Sequence, residues 1–176
     1  MAQFTENLVW SSDVSNTGVS NQSNTLTSDD NRNTMAISSD WIFELTNLSQ
    51  TPTSIVSIQP KIEGRTNAQG GTWLFHHRIL NGSNTQLYTE AQALSNDVDG
   101  TVLTLTKRTT SDGSNAWTEN DINSLRIRVL NAGVLAGAIQ GQIDHYYVEV
   151  VYNVDRLVKL DSGLVKLDSG LIKITS

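Results

Sequence analysis

Trp41-Ile42-Phe43-Glu44-Leu45-Thr46 is the stretch that decides the fold class. In an extended chain successive side chains point to opposite faces, so Trp41, Phe43 and Leu45 share one face while Glu44 and Thr46 point the other way. That is the pattern of a strand with one side in a core and the other in water. Outward from it, similar short apolar runs recur at Ser54–Ile62, Thr72–Leu80, Gln86–Leu94, Thr101–Thr109, Ser124–Leu130 and Gln142–Val154. Asn81-Gly82, Asp99-Gly100 and Asp112-Gly113 stand between some of them, and such dipeptides supply the positive φ that tight turns need. Pro60 has no N–H to give a ladder, which marks an edge or a bulge in its strand. A single helical turn is expected at Thr118-Glu119-Asn120-Asp121, a capping box with Asp in place of Glu or Gln, just before the strand that begins near Leu125. About seven strands without an amphipathic helix predict an all-β fold, a jelly roll or β-sandwich, over residues 35–155.

The flanks read differently. Ser11 to Asn33 is almost all serine, asparagine, threonine and aspartate, too poor in apolar residues to hold a core element alone. Residues 1–34 are therefore expected to form a polar arm, with Ser11 to Asn33 lying across a neighbouring subunit or across a surface to which the protein attaches. At the other end, Leu157-Val-Lys-Leu-Asp-Ser-Gly163 is followed at once by Leu164-Val-Lys-Leu-Asp-Ser-Gly170 and by a decayed copy, Leu171-Ile-Lys-Ile-Thr-Ser176. Leu157, Leu160, Leu164, Leu167, Leu171 and Ile174 alternate at spacings of three and four, the a/d pattern of a coiled coil. Asp-Ser-Gly in the repeat opposes a helix, since each glycine costs roughly 1 kcal/mol in a helix interior and serine and aspartate favour caps and turns. Short Leu-Val-Lys-Leu strands punctuated by Asp-Ser-Gly turns place each residue type where its physics favours it. In either form the nine or so aliphatic residues of the tail bury too little to order it alone. Residues 156–176 are thus expected to be a short-strand oligomerisation tail, stacking on other copies, a trimer in the simplest case, or on the edge of their own domain.

Composition narrows the function classes. Only 17% of residues are charged, while serine, threonine and asparagine together make up about three in ten, so the surface is polar through hydroxyls and amides. The net charge is −6 and no lysine or arginine stripe forms, which argues against a nucleic-acid partner. The absence of cysteine removes disulfides, thiolate nucleophiles and zinc-thiolate sites together. Met1 to Trp10 has neither the basic start nor the apolar run of a signal peptide, and no stretch suits a bilayer, so synthesis in a cytoplasm without a membrane partner is the expectation.

Candidate chemistry is sparse. His76 and His77 are adjacent, but in a strand they face opposite sides and should not chelate one ion together. His145 has Asp144 beside it, again on the opposite face. No Gly-x-Ser-x-Gly elbow accompanies the abundant serines. Asp97 and Asp99 in Asn96-Asp-Val-Asp-Gly100 form a fragment of a calcium loop without its distal glutamate, and a plain Asp-Gly turn explains them better. Paired carboxylates for glycoside hydrolysis would have to come from Glu44, Glu63, Glu90 and Glu149, with no basis in sequence for choosing. Trp41, Trp73 and Trp117 suit core positions and only Trp10 stands in polar surroundings; a sugar-stacking platform is the alternative for any one of them, with core filling favoured. The loops Asn81–Thr85 and Thr110–Asn115 are the better places for a binding site. The expectation is a non-enzyme with no cofactor, no metal and no catalytic residue.

Trp117-Thr-Glu-Asn-Asp-Ile-Asn-Ser-Leu-Arg-Ile-Arg128, followed by Ile143-Asp-His-Tyr-Tyr-Val-Glu-Val-Val-Tyr152, resembles the closing strands of jelly-roll domains in tailed-bacteriophage structural proteins. There a tryptophan and an Asp-x-Asn turn precede a strand that a last, aromatic-rich strand answers. The resemblance implies a virion-surface protein, a capsid decoration or cement protein or a fibre component, that self-associates and docks onto other virion proteins. It brings no catalytic residues. A carbohydrate-binding module recognising a host-surface glycan is the alternative.

Overall fold

The computed structural model describes residues 1–28, 31–66, 72–95, 102–131 and 140–155, together with the backbone of 157–160 and 163–166. The strands of its main sheet are β1 (Ala2–Ser20), β2 (Thr34–Leu45), β3 (Ser54–Thr66), β4 (Thr72–Leu80), β5 (Gln86–Ser95), β6 (Val102–Thr104), β7 (Arg126–Asn131) and β8 (Gly141–Val154), with a 3-10 turn at Gln22–Thr25 and a short helix, α1 (Glu119–Asn123), ahead of β7. The hydrogen-bonded order is β5-β4-β7-β2-β1-β8-β3-β6. Within it β1 pairs with β8, β2 with β7, β3 with β6 and β4 with β5, all antiparallel. A chain doubled back on itself at the β4–β5 turn and then rolled up gives this nesting, which is the jelly roll, two Greek keys in two sheets. The sheets are β5-β4-β7-β2 and β1-β8-β3-β6, and β1 joins them.

The joining strand is where the chain departs from the sequence expectation. Residues 2–20 are a strand of the sandwich itself. Ala2 to Val9 pairs with β8, and Trp10 to Ser20 pairs with β2 of the same chain. Register shifts between Trp10 and Ser12, Asp13 and Ser15, and Thr17 and Val19 bend the strand from one sheet into the other, as bulges do. Backbone hydrogen bonds hold this stretch, so it needs no apolar side chains, and Ser11 to Gly18 are exposed. Asp13 adds an anchor, its Oδ1 accepting from the indole nitrogens of Trp41 at 2.7 Å and Trp10 at 3.0 Å.

The core lies between the sheets and follows the alternation read from Trp41, Phe43 and Leu45, all of which are buried. Trp41 and Phe43 pack at 4.2 Å between centroids, and Phe43 meets Tyr146 of the opposite sheet edge-on at 5.1 Å. Trp73 stacks on Phe75 at 4.4 Å and lies over Gly141, where a Cβ would sit 2.2 Å from the indole ring. Glycine at 141 is what lets the ring approach the β8 backbone. Tyr152 donates to Glu6 at 2.8 Å, and Glu6 also accepts from the Ser49 N–H at 3.1 Å, so the loop after β2 is tied to β1 and β8.

One further expectation is corrected. In the described part of the run Thr101–Thr109 the strand is only Val102–Thr104; beyond it the chain stays beside β3 irregularly, with Leu105 buried and Arg108 exchanging backbone bonds with Ile58 at 2.8 and 2.9 Å. Pro60 is not on an edge strand, since β3 runs between β8 and β6, but it stands beside a register break: the Leu105 N–H donates to the Pro60 carbonyl at 3.0 Å, whereas Ile58 pairs with Arg108, one extra residue on the partner side. The Leu105 carbonyl that an N–H at residue 60 would have reached accepts instead from Gln59 Nε2 at 3.0 Å. The capping box is present, with Asp121 N–H donating to Thr118 Oγ1 and Thr118 N–H to Asp121 Oδ2. In the C-terminal repeat, Leu157–Leu160 and Gly163–Lys166 form an antiparallel pair of their own, Gly163 opposite Leu160. Leu167, Leu171 and Ile174 lie outside the described residues, as do Asp97 and Asp99.

Candidate functional site

The residues singled out for chemistry are dispersed by the fold. His77 points into the core, is 2% exposed, and shares a 2.7 Å hydrogen bond with Tyr146 Oη across the sandwich. Burial pushes its pKa down to about 4, against a weaker upward pull from Glu90, and pushes the Tyr146 phenol well above its usual range. His76 is on the outer face of the same strand. His145 lies on the outer face of the other sheet opposite Glu63, held below the usual imidazole range by partial burial. Asp144 is buried. Among the described residues no group of three or more His, Asp or Glu converges on a metal position.

The four glutamates are also kept apart. Glu44 accepts from Arg126 at 2.8 Å on the outer face of β2, Glu149 from Lys61 at 2.7 Å on the outer face of β8, and Glu90 from Arg108 at 2.7 Å on the inner side of β5. Glu63 and Glu149 share a face but stand four rungs apart on the β3–β8 ladder, about 13 Å, which exceeds the separation of glycosidase carboxylates. Burial raises the Glu90 pKa, but the Thr106 N–H and the Arg108 guanidinium outweigh it and hold the group below the usual carboxylate range. Arg108 also lies 4.4 Å over the Tyr88 ring. Trp41, Trp73 and Trp117 fill the core as expected; Trp10 is half-buried against it rather than standing free as a platform.

Both candidate loops are stiffened by local bonds. Asp112 accepts from the N–H groups of Ser114 at 3.0 Å and Asn115 at 2.8 Å, which hold its carboxyl well below the usual range. Asn81 Oδ1 accepts from Ser83 and Thr85 N–H at 3.0 and 2.9 Å. The Asn81–Thr85 loop borders a polar cleft of about 450 Å³ whose walls include Glu44, Asn47, Asn123, Ser124 and Arg126. Arg126 is held there by Glu44 and by Asn84 Oδ1 at 3.1 Å. Sequence reading found the loop and missed the cleft, since its walls come from four separate segments.

A second surface was missed entirely. On the outer face of β4 and β5, Leu74, His76, Ala91 and Ala93 line a shallow, mainly apolar cleft of about 510 Å³, with Leu74 43% exposed. It runs to β5, a ten-residue strand that ends the hydrogen-bonded order and pairs with β4. The other end strand, β6, has three residues. Natural sheets blunt their edges with short strands, lysine or proline. β6 is short, whereas β5 is long and carries no lysine, arginine or proline.

No protein-family profile matches the sequence, and no curated protein matches it. A chain in the solved structure of infectious bursal disease virus, Gt strain, is similar over 86% of this chain and 33% of its own, at 11% identity and a TM-score of 0.37. This chain therefore spans about a third of that one's length. Likeness at that level falls short of a shared fold, and the jelly-roll assignment rests on the strand order above.

Proposed function

We propose that this protein is a non-enzymatic virion structural component, of tailed-phage type, that self-associates through its C-terminal repeat and sits on a capsid or tail surface as a decoration or fibre protein. The observation that carries the reading is the complete jelly roll followed directly by a seven-residue repeat. Jelly rolls recur in viral capsid and lectin domains, and a tail too poor in apolar area to fold alone needs copies of itself to pair with. The step from fold to role is an analogy. The resemblance of Trp117–Arg128 and Ile143–Tyr152 to phage closing strands supports it in part. Trp117 is buried and Asp121-Ile122-Asn123 ends the turn before β7, but β7 and β8 lie in different sheets instead of pairing. A trimer is the simplest closed arrangement, with three tails wrapped together so that no edge stays open. An electron-microscopy map of the native particle should show the sandwich on its outer surface, and its absence from the particle would refute the role.

The polar cleft beside Asn81–Thr85 favours a second reading, a glycan-binding module. Arg126, Glu44, Asn47 and Asn123 offer the mixed donors and acceptors that sugar hydroxyls take. A glycan array with signal lost in Arg126→Ala would support it, and a blank array with capsid binding intact would leave the structural role alone.

A further inference from the structure

We infer that the open edge of β5 pairs antiparallel with β5 of a second copy of this chain, about a two-fold axis through Ala91 normal to the sheet. The β4-side register leaves the other edge of β5 without a strand partner among the described residues. Bonds from the segment after β6 to this strand end on side chains. Arg108 and the Thr106 N–H reach Glu90, and Tyr88 Oη donates to the Thr110 carbonyl at 2.7 Å and accepts from the Gly113 N–H at 2.9 Å. They cover the inner face and leave the backbone edge free to pair.

The sequence of the strand selects both the partner and the register. A two-fold axis normal to the sheet keeps inner side chains opposite inner ones, and two such registers pair nearly the whole strand, centred on Glu90 or on Ala91. Centring on Glu90 sets two carboxylates directly opposite each other, which is repulsive. Centring on Ala91 sets Glu90 opposite Gln92, Tyr88 opposite Leu94 and Ala93 opposite Thr89, with Ala91 facing itself. Every pair is then neutral or complementary, and the outer strip of Ala91, Ala93 and Leu74 continues into its symmetry mate. The chain carries a net charge of −6, yet this edge holds one charge, Glu90, already compensated by Arg108. Like copies can therefore approach here with little repulsion. The pairing does not depend on the tail, although with a three-fold tail it would link trimers to one another.

The full-length protein has no cysteine, so single cysteines report the register cleanly. Under mild oxidation Ala91→Cys should give a disulfide-linked dimer on a non-reducing gel, while Thr89→Cys, which faces Ala93 of the mate, should not. Ala91→Lys and Ala91→Glu proteins should each lose the β5 contact to like-charge repulsion and regain it when mixed, read as mixed-pair cross-linking with an amine-to-carboxylate reagent. Absence of the Ala91→Cys dimer, equal cross-linking of Thr89→Cys, or no gain on mixing the two charge variants would overturn the proposal. These outcomes are separate from failure of the tail reading, which would show as an unchanged particle mass on truncation after Asp155 and would leave the cross-linking pattern of the Ala91→Cys protein as it is.

Discussion

The space between the two sheets and the open edge of β5 are made from the same kind of strand, yet they respond to opposite demands. Between the sheets, Phe43, Trp73, His77 and Tyr146 interlock, and His77 and Tyr146 satisfy each other in a site without water access. At the edge, side chains are small and exposed and the unspent capacity belongs to the backbone. A change in the interior acts on folding, and a change at the edge acts on association. The difference separates the residues that make the sandwich from those that make an assembly of sandwiches.

The largest expected effect is in the interior. Gly141→Ala would place a methyl group 2.2 Å from the Trp73 ring, and neither the β8 backbone nor a ring stacked on Phe75 can give way easily. Destabilisation of about 3 kcal/mol or more is expected, visible as a lowered midpoint in urea. A variant as stable as the parent would show that the ring does not rest on β8.

Next in size is the acid response of His77. Its pKa is about 4 in the folded chain against 6.5 unfolded, so below pH 6.5 the unfolded chain takes up the proton first. The contribution of neutral His77 is fully present above pH 6.5 and is lost as the pH falls through about 4, a drop of about 3 kcal/mol. Glu90, held below its usual range by the Thr106 N–H and Arg108, shifts stability in the same direction. Comparing the stability of wild type and His77→Gln between pH 7 and pH 4 isolates the histidine. Parallel curves would mean that it is not buried neutral.

The smallest expected change in stability is at the edge. Ala91→Lys is exposed and should alter the unfolding free energy by no more than about 0.5 kcal/mol. A large loss of stability there would erase the distinction between the two regions.

Much of the sandwich was legible because alternation is a local code. Trp41, Phe43 and Leu45 turned inward as read, Thr72–Leu80 is a strand with those bounds, and His76 and His77 separated to opposite faces. The first strand was not legible, since Ser11 to Ser20 is held by backbone pairing with β2, which leaves no apolar signature in the side chains. Nor were the two surfaces. The polar cleft joins Glu44, Gly82 and Arg126, far apart in sequence, and β5 is an edge only because the roll-up puts it last. Local patterns give elements and faces, whereas edges and clefts follow from topology.

The most direct test of the account is the mass in solution, by light scattering, of the full-length protein and of a chain ending at Asp155, which keeps the whole sandwich. The full-length chain should be a multimer, a trimer or trimers linked through β5, and the truncated one a smaller particle, no larger than the pair that β5 can form. The same mass for both would contradict assembly through the repeat.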